Sequence, residues 1–224
     1  MNIYYFLYYC IYPVIAHNLK KHLTTKYTDM KNILIIFFSI FLTSFTFGQE
    51  KSEIDQKRVV SKIDSNFNKE LVLIQEFTVN VPIDSVWNAY TTKKGWESWA
   101  VSIAEIDFKV NGLIQTNYNK DGKIGDESTI TLHILNYVPR RIITLQAEIT
   151  KNFPEFMKED EKDLYNVILF EELDVSETKV TSFGIGYKNN KKYKSLMQFF
   201  VKGNTQSYLN LISYLETGKP SVNY

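Results

Sequence analysis

The chain has almost none of the residues that build disulfides and transition-metal sites. It contains one cysteine, Cys10, among 224 residues, so an internal disulfide and a site made of several thiolates are both excluded. Its three histidines are His17, His22 and His133. If export removes the N-terminal region, only His133 remains. We therefore expect no cofactor, no metal site built from several histidines and no nucleophile activated by a histidine base.

An excess of charge of either sign is also missing. The 26 Lys and Arg residues nearly balance the 25 Asp and Glu residues, which gives a formal net charge of +1. Binding to a phosphate backbone needs a basic face, so we expect no nucleic-acid partner. The one basic cluster, KNNKKYK at residues 188–194, is interpreted as a solvated turn before a helix, and a functional patch is the less favoured alternative.

The N-terminal region has the organisation of an export signal. Residues 30–48 read MKNILIIFFSIFLTSFTFG, a lysine and an apolar run that ends in small residues, which is typical of a signal peptide cleaved between Gly48 and Gln49. The run is shorter than the roughly 20 residues that a membrane helix needs. We therefore predict a secreted or periplasmic protein with no stable membrane span after signal removal.

A second apolar stretch precedes this signal. It runs from Ile3 to Ile15, is rich in tyrosine and is interrupted by Pro13. Our hypothesis is that Met30 is the true start, so that residues 1–29 are not part of the native product. The alternative is a pair of membrane-embedded segments that form a hairpin anchor.

Downstream of the signal, the hydrophobic pattern predicts a single α+β domain. Residues 49–69 are polar and charged and indicate a linker or a loose leading helix. From Glu70 onward apolar residues alternate as in a half-buried strand, and Pro82 opens two short helices. About six antiparallel strands follow with short connections, among them the hairpin turn Asn111-Gly112.

The chain ends in a long predicted helix, Ser195–Gly218. Ser195 is the predicted N-cap, and Gly218 followed by Pro220 is a stop signal. The helical spacing turns Val201, Tyr208, Ile212 and Leu215 inward and leaves Lys202, Gln206 and Asn210 for solvent. One long apolar stripe requires one large partner surface. We therefore predict a curved antiparallel sheet wrapped around this helix.

Four segments resemble the START-like superfamily, also called SRPBCC or helix-grip, and within it homologues of the activator of the 90-kDa heat-shock-protein ATPase. They are VNVPIDSVWNAYTT (Val79–Thr92), IDFKVNGLIQ (Ile106–Gln115), VPRRIITL (Val138–Leu145) and GNTQSYLNLISYLETGKP (Gly203–Pro220). The resemblance covers about residues 70–220 and implies a shared fold with a cavity between sheet and helix. The chain departs from the family at Asn204, where a tryptophan is frequent.

Inward-facing positions supply the candidates for lining that cavity. The candidate cavity residues are Gln75, Phe77, Trp87, Trp99, Phe108, Tyr118, Glu171, Phe183, Tyr187, Tyr208 and Ile212. The candidate lid residues are Phe153, Phe156 and Met157, in the charged segment before Leu164. For any single residue in these sets, simple core packing is the more common role.

Two of the candidates are polar residues that interrupt apolar rows. Gln75 lies between Leu73 and Phe77, and Glu171 lies between two leucines of a later strand, so strict alternation turns both inward. A buried polar group without a partner costs about 1–3 kcal/mol, which a ligand, a neighbour or water would offset. For Glu171 the alternative is a bulge or a strand end in solvent.

Residues suited to catalysis do not converge in this pattern, and we predict no catalytic residue. His133 lies on the polar row of its strand and is predicted to face solvent. The acidic run Glu159–Glu161 lacks the alternating oxygen ligands and the glycine of a calcium loop, which indicates a solvated segment.

Three functions remain open. The leading hypothesis is a START-like domain that binds a hydrophobic small molecule or lipid without transforming it. The resemblance implies an alternative, a protein-interaction module that regulates a chaperone, although predicted export would separate it from a cytosolic chaperone. The second alternative is a cyclase-like or hydrolase-like enzyme whose cavity supplies acid and base groups.

Overall fold

The computed structural model describes residues 58–65 and 70–222. The predicted upstream extension, the signal peptide and the first part of the predicted linker lie outside the described residues. The strands are β1 Val60–Asp64, β2 Glu70–Val79, β3 Ile103–Ile106, β4 Leu113–Asn117, β5 Ile130–Val138, β6 Ile142–Ala147, β7 Tyr165–Asp174 and β8 Glu177–Lys188. The helices are α1 Ile83–Thr91, α2 Lys93–Trp99 and α3 Lys191–Thr217, with a 3₁₀ helix at Glu155–Asp163.

All eight strands form one sheet in the order β1-β2-β8-β7-β6-β5-β4-β3. Every neighbouring pair is antiparallel, and the register shifts within the β2/β8, β5/β6 and β7/β8 pairs. Bulges of this kind bend a sheet and increase its twist. The curved sheet packs against the long C-terminal helix, so the predicted α+β helix-grip fold, with two short helices after the first predicted strand, is confirmed.

Strand β1 lies in the segment that the sequence indicated as a linker or loose helix. Its five residues, VSKID, pair with Val72–Glu76 of β2. The tertiary structure holds this edge strand in place, because Arg58 forms two hydrogen bonds with Glu216 of α3, at 2.6 and 2.8 Å. A short, mostly polar strand has too little apolar alternation to be recognised from sequence.

Helix α3 begins one turn earlier than predicted. Its N-cap is Asn190, whose side-chain oxygen accepts a hydrogen bond from the Tyr193 backbone N–H at 3.0 Å, and not Ser195. Most of the basic cluster at 188–194, which was interpreted as a solvated turn before the helix, therefore forms the first turn of α3. The predicted end is confirmed, since Gly218 adopts the left-handed conformation with φ of 77°.

Asn210 is buried and does not face solvent as its helical position predicted. It is 0% exposed, and its side-chain N–H groups donate to the Trp99 and Val222 carbonyl oxygens at 2.7 and 3.0 Å. Its oxygen accepts from the Val222 backbone N–H at 2.7 Å. Asn210 therefore fastens the chain that follows α3 back onto the helix, a contact that a helical wheel does not contain.

The apolar residues form two clusters along α3. The larger cluster joins α1, α2, the sheet and the C-terminal half of α3, where Leu211 is fully buried. The smaller cluster lies at the N-terminal half of α3 and includes Met157 of the 3₁₀ helix and Met197. Among the described helices, none combines the length and hydropathy that crossing a bilayer would require.

Candidate functional site

A cavity of about 310 Å³ lies where the two apolar clusters meet. Strands β2 and β4–β8, helices α2 and α3 and the segment around the 3₁₀ helix all contribute to its wall. The lining residues are Leu73, Trp96, Thr116, Tyr118, Ile130, Leu132, Leu145, Ala147, Ile149, Phe153, Met157, Leu164, Tyr165, Asn166, Ser182, Gly184, Tyr187, Phe200, Asn204 and Tyr208. Within the described part of the chain this wall is mainly aliphatic and aromatic, and each of its residues is uncharged.

A bulge in β8 decides which of its residues reach the cavity. Ser182 and Gly184 line it by ordinary alternation, and the next lining residue is Tyr187, three positions further on. The register between β2 and β8 shifts at this point, and Gly186 has a φ of 85°. The extra residue changes the parity of the strand. Tyr187 therefore lines the cavity as predicted, whereas Phe183 lies on the opposite face.

Five of the predicted cavity and lid residues line the cavity. Tyr118, Tyr187 and Tyr208 belong to its wall, and Phe153 and Met157 close it from the side of the 3₁₀ helix. The third predicted lid residue, Phe156, packs edge-on against Tyr193, with a centroid distance of 5.1 Å. Phe156 therefore anchors the 3₁₀ helix to α3 and does not line the cavity.

Five other predicted cavity residues fill the larger apolar cluster: Phe77, Trp87, Trp99, Phe108 and Ile212. Trp87 packs against Phe108 and Phe170 with centroid distances of 5.7 and 5.6 Å. Trp99 packs against Tyr90 at 5.4 Å. These five residues are packed in the apolar cluster and do not line the cavity. The alternation that placed them inward was therefore correct, and their assignment to the cavity was not.

Glu171 faces solvent, which corrects the predicted inward position. The inward residues of β7 are Ile168 and Phe170, both buried, whereas Leu169 and Leu173 are exposed together with Glu171. Apolar residues occupy both faces of this strand, so its alternation did not reveal which face is inward. The structure therefore agrees with the alternative for Glu171, a position in solvent.

Gln75 is buried at 1% exposure, and protein groups satisfy its hydrogen bonds. Its side-chain nitrogen donates to Ser61 Oγ at 3.0 Å and lies 3.4 Å from Thr205 Oγ1. Its oxygen accepts from Asn204 Nδ2 at 2.8 Å. Gln75 thus does not line the cavity itself but holds in place Asn204, which does.

A chain of polar groups crosses one side of the cavity wall. Asn166 Nδ2 donates to Ser182 Oγ at 2.9 Å, and Tyr208 lines the cavity with them. Burial raises the pKa of the Tyr208 hydroxyl, and the Ser182 hydroxyl offsets part of this effect. The phenol therefore stays protonated at neutral pH and remains a hydrogen-bond donor.

The hydroxyl of Tyr90 is close to this group. Among the described residues it is the one buried side-chain polar atom without a hydrogen-bond partner. Burial raises the pKa of the Tyr90 hydroxyl well above its ordinary value, and the neighbouring Tyr208 raises it further. Its ring packs edge-on against Phe170 at 5.3 Å.

The 3₁₀ helix that closes the cavity is fastened by one carboxylate. Asp160 is buried, forms an ion pair with Lys188 of β8 and accepts a hydrogen bond from the Tyr193 hydroxyl of α3 at 2.8 Å. The hydrogen bond from Lys188 lowers the pKa of Asp160 against the opposing effect of burial, and Tyr193 lowers it further. Asp160 of the acidic run therefore fastens the 3₁₀ helix to β8 and α3, and the run is not simply a solvated segment.

Several lining residues were missed by sequence reasoning. Trp96 was not among the predicted cavity residues, and its indole N–H donates to the Tyr90 carbonyl oxygen at 2.7 Å. Asn166 interrupts the row Leu164, Ile168 and Phe170 and could have been found from it, whereas the row of Ser182 also contains Thr178 and Gly184 and gave no signal. Asn204 could have been found from its departure from the family pattern. Among the described residues, no group of three His, Cys, Asp or Glu side chains could hold a metal ion.

A curved antiparallel sheet that encloses a cavity against one long helix defines a START-like domain of the SRPBCC type. The family described as Activator of Hsp90 ATPase homolog 1-like protein matches residues 80–216, and the chain belongs to this family. No curated protein matches the sequence significantly. Such a fold supports a ligand-binding or regulatory domain.

Solved structures share the fold at low sequence identity. A conserved protein of unknown function from Enterococcus faecalis is 12% identical, with a TM-score of 0.52, over 75% of this chain and 83% of that chain. A protein from Staphylococcus saprophyticus is 16% identical, with a TM-score of 0.51, over 66% and 94%. The Aha1 dimer from Colwellia psychrerythraea is 15% identical, with a TM-score of 0.50, over 66% and 98%. These similarities establish the START-like fold alone.

Proposed function

We propose that the protein is an exported START-like domain that binds a hydrophobic small molecule in the cavity between sheet and α3 without transforming it. The observation that carries this proposal is the cavity of about 310 Å³ with a mainly apolar, uncharged wall. Apolar concave sites with a few convergent polar groups are the usual form of small-molecule sites. Burial of apolar ligand surface against this wall supplies the binding free energy.

The volume of the cavity limits the size of the ligand. Small-molecule pockets span about 300–1,000 Å³, and this cavity of about 310 Å³ lies at the lower end of that range. A single compact molecule suits this volume better than a lipid with two acyl chains.

Titration with the neutral fluorophore N-phenyl-naphthylamine tests the proposal. Leu132 lines the cavity, so Leu132→Trp fills it and is expected to weaken binding at least about tenfold, which corresponds to about 1.4 kcal/mol. The control is Thr131→Trp, the same replacement at the adjacent residue of β5, which is not in the cavity wall. Thermal unfolding of both variants shows that they are folded. Equal loss of binding in both, or none in either, would contradict the proposal.

Export is the second part of the proposal, and the signal-like segment at residues 30–48 supports it. Intact-mass measurement on the protein from its own host is expected to give a chain that begins at Gln49. A species that retains Tyr4 to Lys26 would overturn both the predicted cleavage and the predicted start at Met30.

A second candidate function is regulation of a protein partner, which the name of the family suggests. The outer face of the sheet carries a row of apolar side chains in direct register, Val138, Ile142 and Leu169, of which Val138 is 53% and Leu169 is 38% exposed. Co-purification of a polypeptide with the wild type and its loss in Leu169→Glu would support this candidate. Retention of the polypeptide by Leu169→Glu would contradict binding through this face.

A further inference from the structure

The N-terminal half of α3 carries positive charge that the rest of the described structure does not pair. From residue 191 to residue 215 the sequence contains no aspartate or glutamate. It contains four exposed lysines in this range: Lys191, Lys192, Lys194 and Lys202. Within residues 58–65 and 70–222 none of the four belongs to a salt bridge. The neighbouring Lys188, in contrast, is paired with Asp160 of the 3₁₀ helix.

An aromatic ring projects into solvent among these lysines. The Phe199 side chain is 68% exposed. At 3.6 residues per turn, Lys191, Lys192 and Lys202 lie within about 80° of Phe199 around the helix axis, and we call these four residues the basic face. Phe199 also contacts Phe200, with a centroid distance of 6.0 Å, and Phe200 lines the cavity. The basic face therefore lies directly outside the cavity wall.

The size and charge of the basic face suit a lipid bilayer better than a folded protein. The other exposed residues nearby on the helix, Ser195, Gly203 and Gln206, are small or polar. One ring and three lysines offer far less area than the roughly 1,200–2,000 Å² that a stable protein interface buries. An anionic bilayer needs less, because an inserted aromatic side chain and each lysine near the headgroups contribute separately to binding.

We propose that the basic face docks on the surface of a lipid bilayer that contains anionic headgroups. The Phe199 ring enters the boundary between headgroups and acyl chains, and Lys191, Lys192 and Lys202 contact the lipid phosphates, with Lys194 at the flank. This is a peripheral contact and not a membrane span. It goes beyond the proposed function, since it assigns a surface outside the cavity, and it brings the cavity wall at Phe200 next to the membrane.

Sedimentation with vesicles tests the proposal on the protein purified from its own host. One set of vesicles is phosphatidylcholine alone, and the other contains about one third phosphatidylglycerol, which is anionic. We expect binding to the anionic vesicles at low salt and binding at least about tenfold weaker to the neutral vesicles. Raising the ionic strength to about 0.5 M should release the protein, because salt screens exposed charges.

A pair of double variants tests the lysines. Lys191→Gln with Lys202→Gln removes two charges from the basic face, and we expect binding to anionic vesicles to weaken at least about tenfold. The control is Lys94→Gln with Lys120→Gln, which removes two exposed lysines elsewhere that belong to no salt bridge among the described residues. It causes the same change in net charge and should weaken binding less than about twofold.

A separate pair of variants tests the ring. Phe199→Ser is expected to weaken binding to anionic vesicles about fivefold, because less apolar surface leaves water. Val175→Ser changes an apolar residue that is 83% exposed in the β7–β8 turn and should leave binding unchanged. In Phe199→Trp the added fluorescence should be quenched by brominated lipid, and in Val175→Trp it should not.

The outcomes separate this proposal from the function proposed for the cavity. Equal binding to neutral and anionic vesicles, equal weakening in the two double variants, or full binding by Phe199→Ser would overturn membrane docking. If wild-type protein ignores both vesicles but binds polyglutamate, the basic face serves an acidic polypeptide and the membrane proposal is wrong. Titration with N-phenyl-naphthylamine in the absence of vesicles should give the same affinity in wild type and in every folded variant, so the cavity is assessed independently.

Discussion

Gln75 shows how a polar residue on an inward row can be structural. Strict alternation correctly placed it inside, and its partners come from β1 and α3, through Ser61 and Asn204. Those partners are 14 and 129 residues away along the chain, so no local pattern could name them.

Replacement of Gln75 is predicted to lower stability. Gln75→Leu leaves Ser61 and Asn204 without their partner, and we expect the free energy of unfolding in urea to fall by about 1–3 kcal/mol. The control is Glu171→Leu, the other residue predicted to face inward, which is exposed and should change stability by less than about 0.5 kcal/mol. Raised stability in Gln75→Leu would show that the network is dispensable.

The periodicity of the sequence predicted which side chains face inward better than it predicted which of them line the cavity. The apolar face of β2 and the inward stripe of α3 are as predicted, because burial of a stripe follows from strand and helix geometry alone. The prediction that Asn210 faces solvent was wrong, because its burial depends on the chain beyond α3 folding back onto it. Trp87 and Trp99 were correctly predicted to be inside, but whether an inward ring fills core or lines a cavity depends on how neighbouring rings pack.

At the scale of elements, the closed position of the 3₁₀ helix is predicted to weaken in acid. The folded-state pKa of Asp160 lies below the ordinary value of 3.8. Its ionised form therefore stabilises the fold above that value, and this contribution is lost as the pH falls through the lowered pKa. We expect the protection of the Glu155–Asp163 amides, measured as the exchange rate relative to the intrinsic rate at each pH, to be high near neutral pH and to fall below about pH 4.

Two variants isolate the carboxylate that causes this change. Asp160→Asn is expected to raise exchange in the 3₁₀ helix near neutral pH and to remove most of the difference between neutral and acidic solution. Asp174→Asn alters another carboxylate with a lowered pKa, which Ser176 holds in the β7–β8 turn, and should leave exchange in the 3₁₀ helix unchanged. Equal exchange in wild type and Asp160→Asn at neutral pH would contradict the role of Asp160.

The β8 bulge is the element on which the cavity wall depends. A Cβ atom on Gly186 would overlap the carbonyl oxygen of Asp163, and the backbone has a φ of 85°. Gly186→Ala thus adds a steric clash to backbone strain, and we expect a loss of about 2–4 kcal/mol in urea denaturation. Gly125→Ala is the control, because Gly125 has a φ of 93° but open space around it, so strain alone should cost about 1 kcal/mol. Equal losses in both variants would show that the close approach to Asp163 is not limiting.

The bulge also explains the limit of prediction at this scale. The order of strands and helices followed from alternation, turn residues and helix stop signals, and it was sufficient to predict a helix-grip fold. The parity of β8 beyond Gly184 could not be predicted, because one inserted residue reverses the face of each residue after it. Phe183 was therefore misplaced while Tyr187, on the other side of the bulge, was correctly placed.

At the scale of the whole molecule, a small cavity remains because two apolar clusters pack separately along one helix. Aromatic packing fills the space near α1 and α2, and the 3₁₀ helix closes the opposite side through Asp160. The resulting wall of uncharged residues and one chain of hydroxyl and amide groups is suited to holding a neutral apolar molecule. The fold is that of a START-like domain, and the apolar wall of its cavity is the basis of the function that we propose.

Native mass spectrometry of the protein purified from its own host tests that proposal most directly. We predict a chain that begins at Gln49 and carries one small neutral molecule, which is released on collisional activation and is absent from Leu132→Trp but present in Thr131→Trp. A wild-type chain without any small molecule, which also fails to bind N-phenyl-naphthylamine, would contradict the proposed function. A bound polypeptide in place of the small molecule would favour the regulatory candidate.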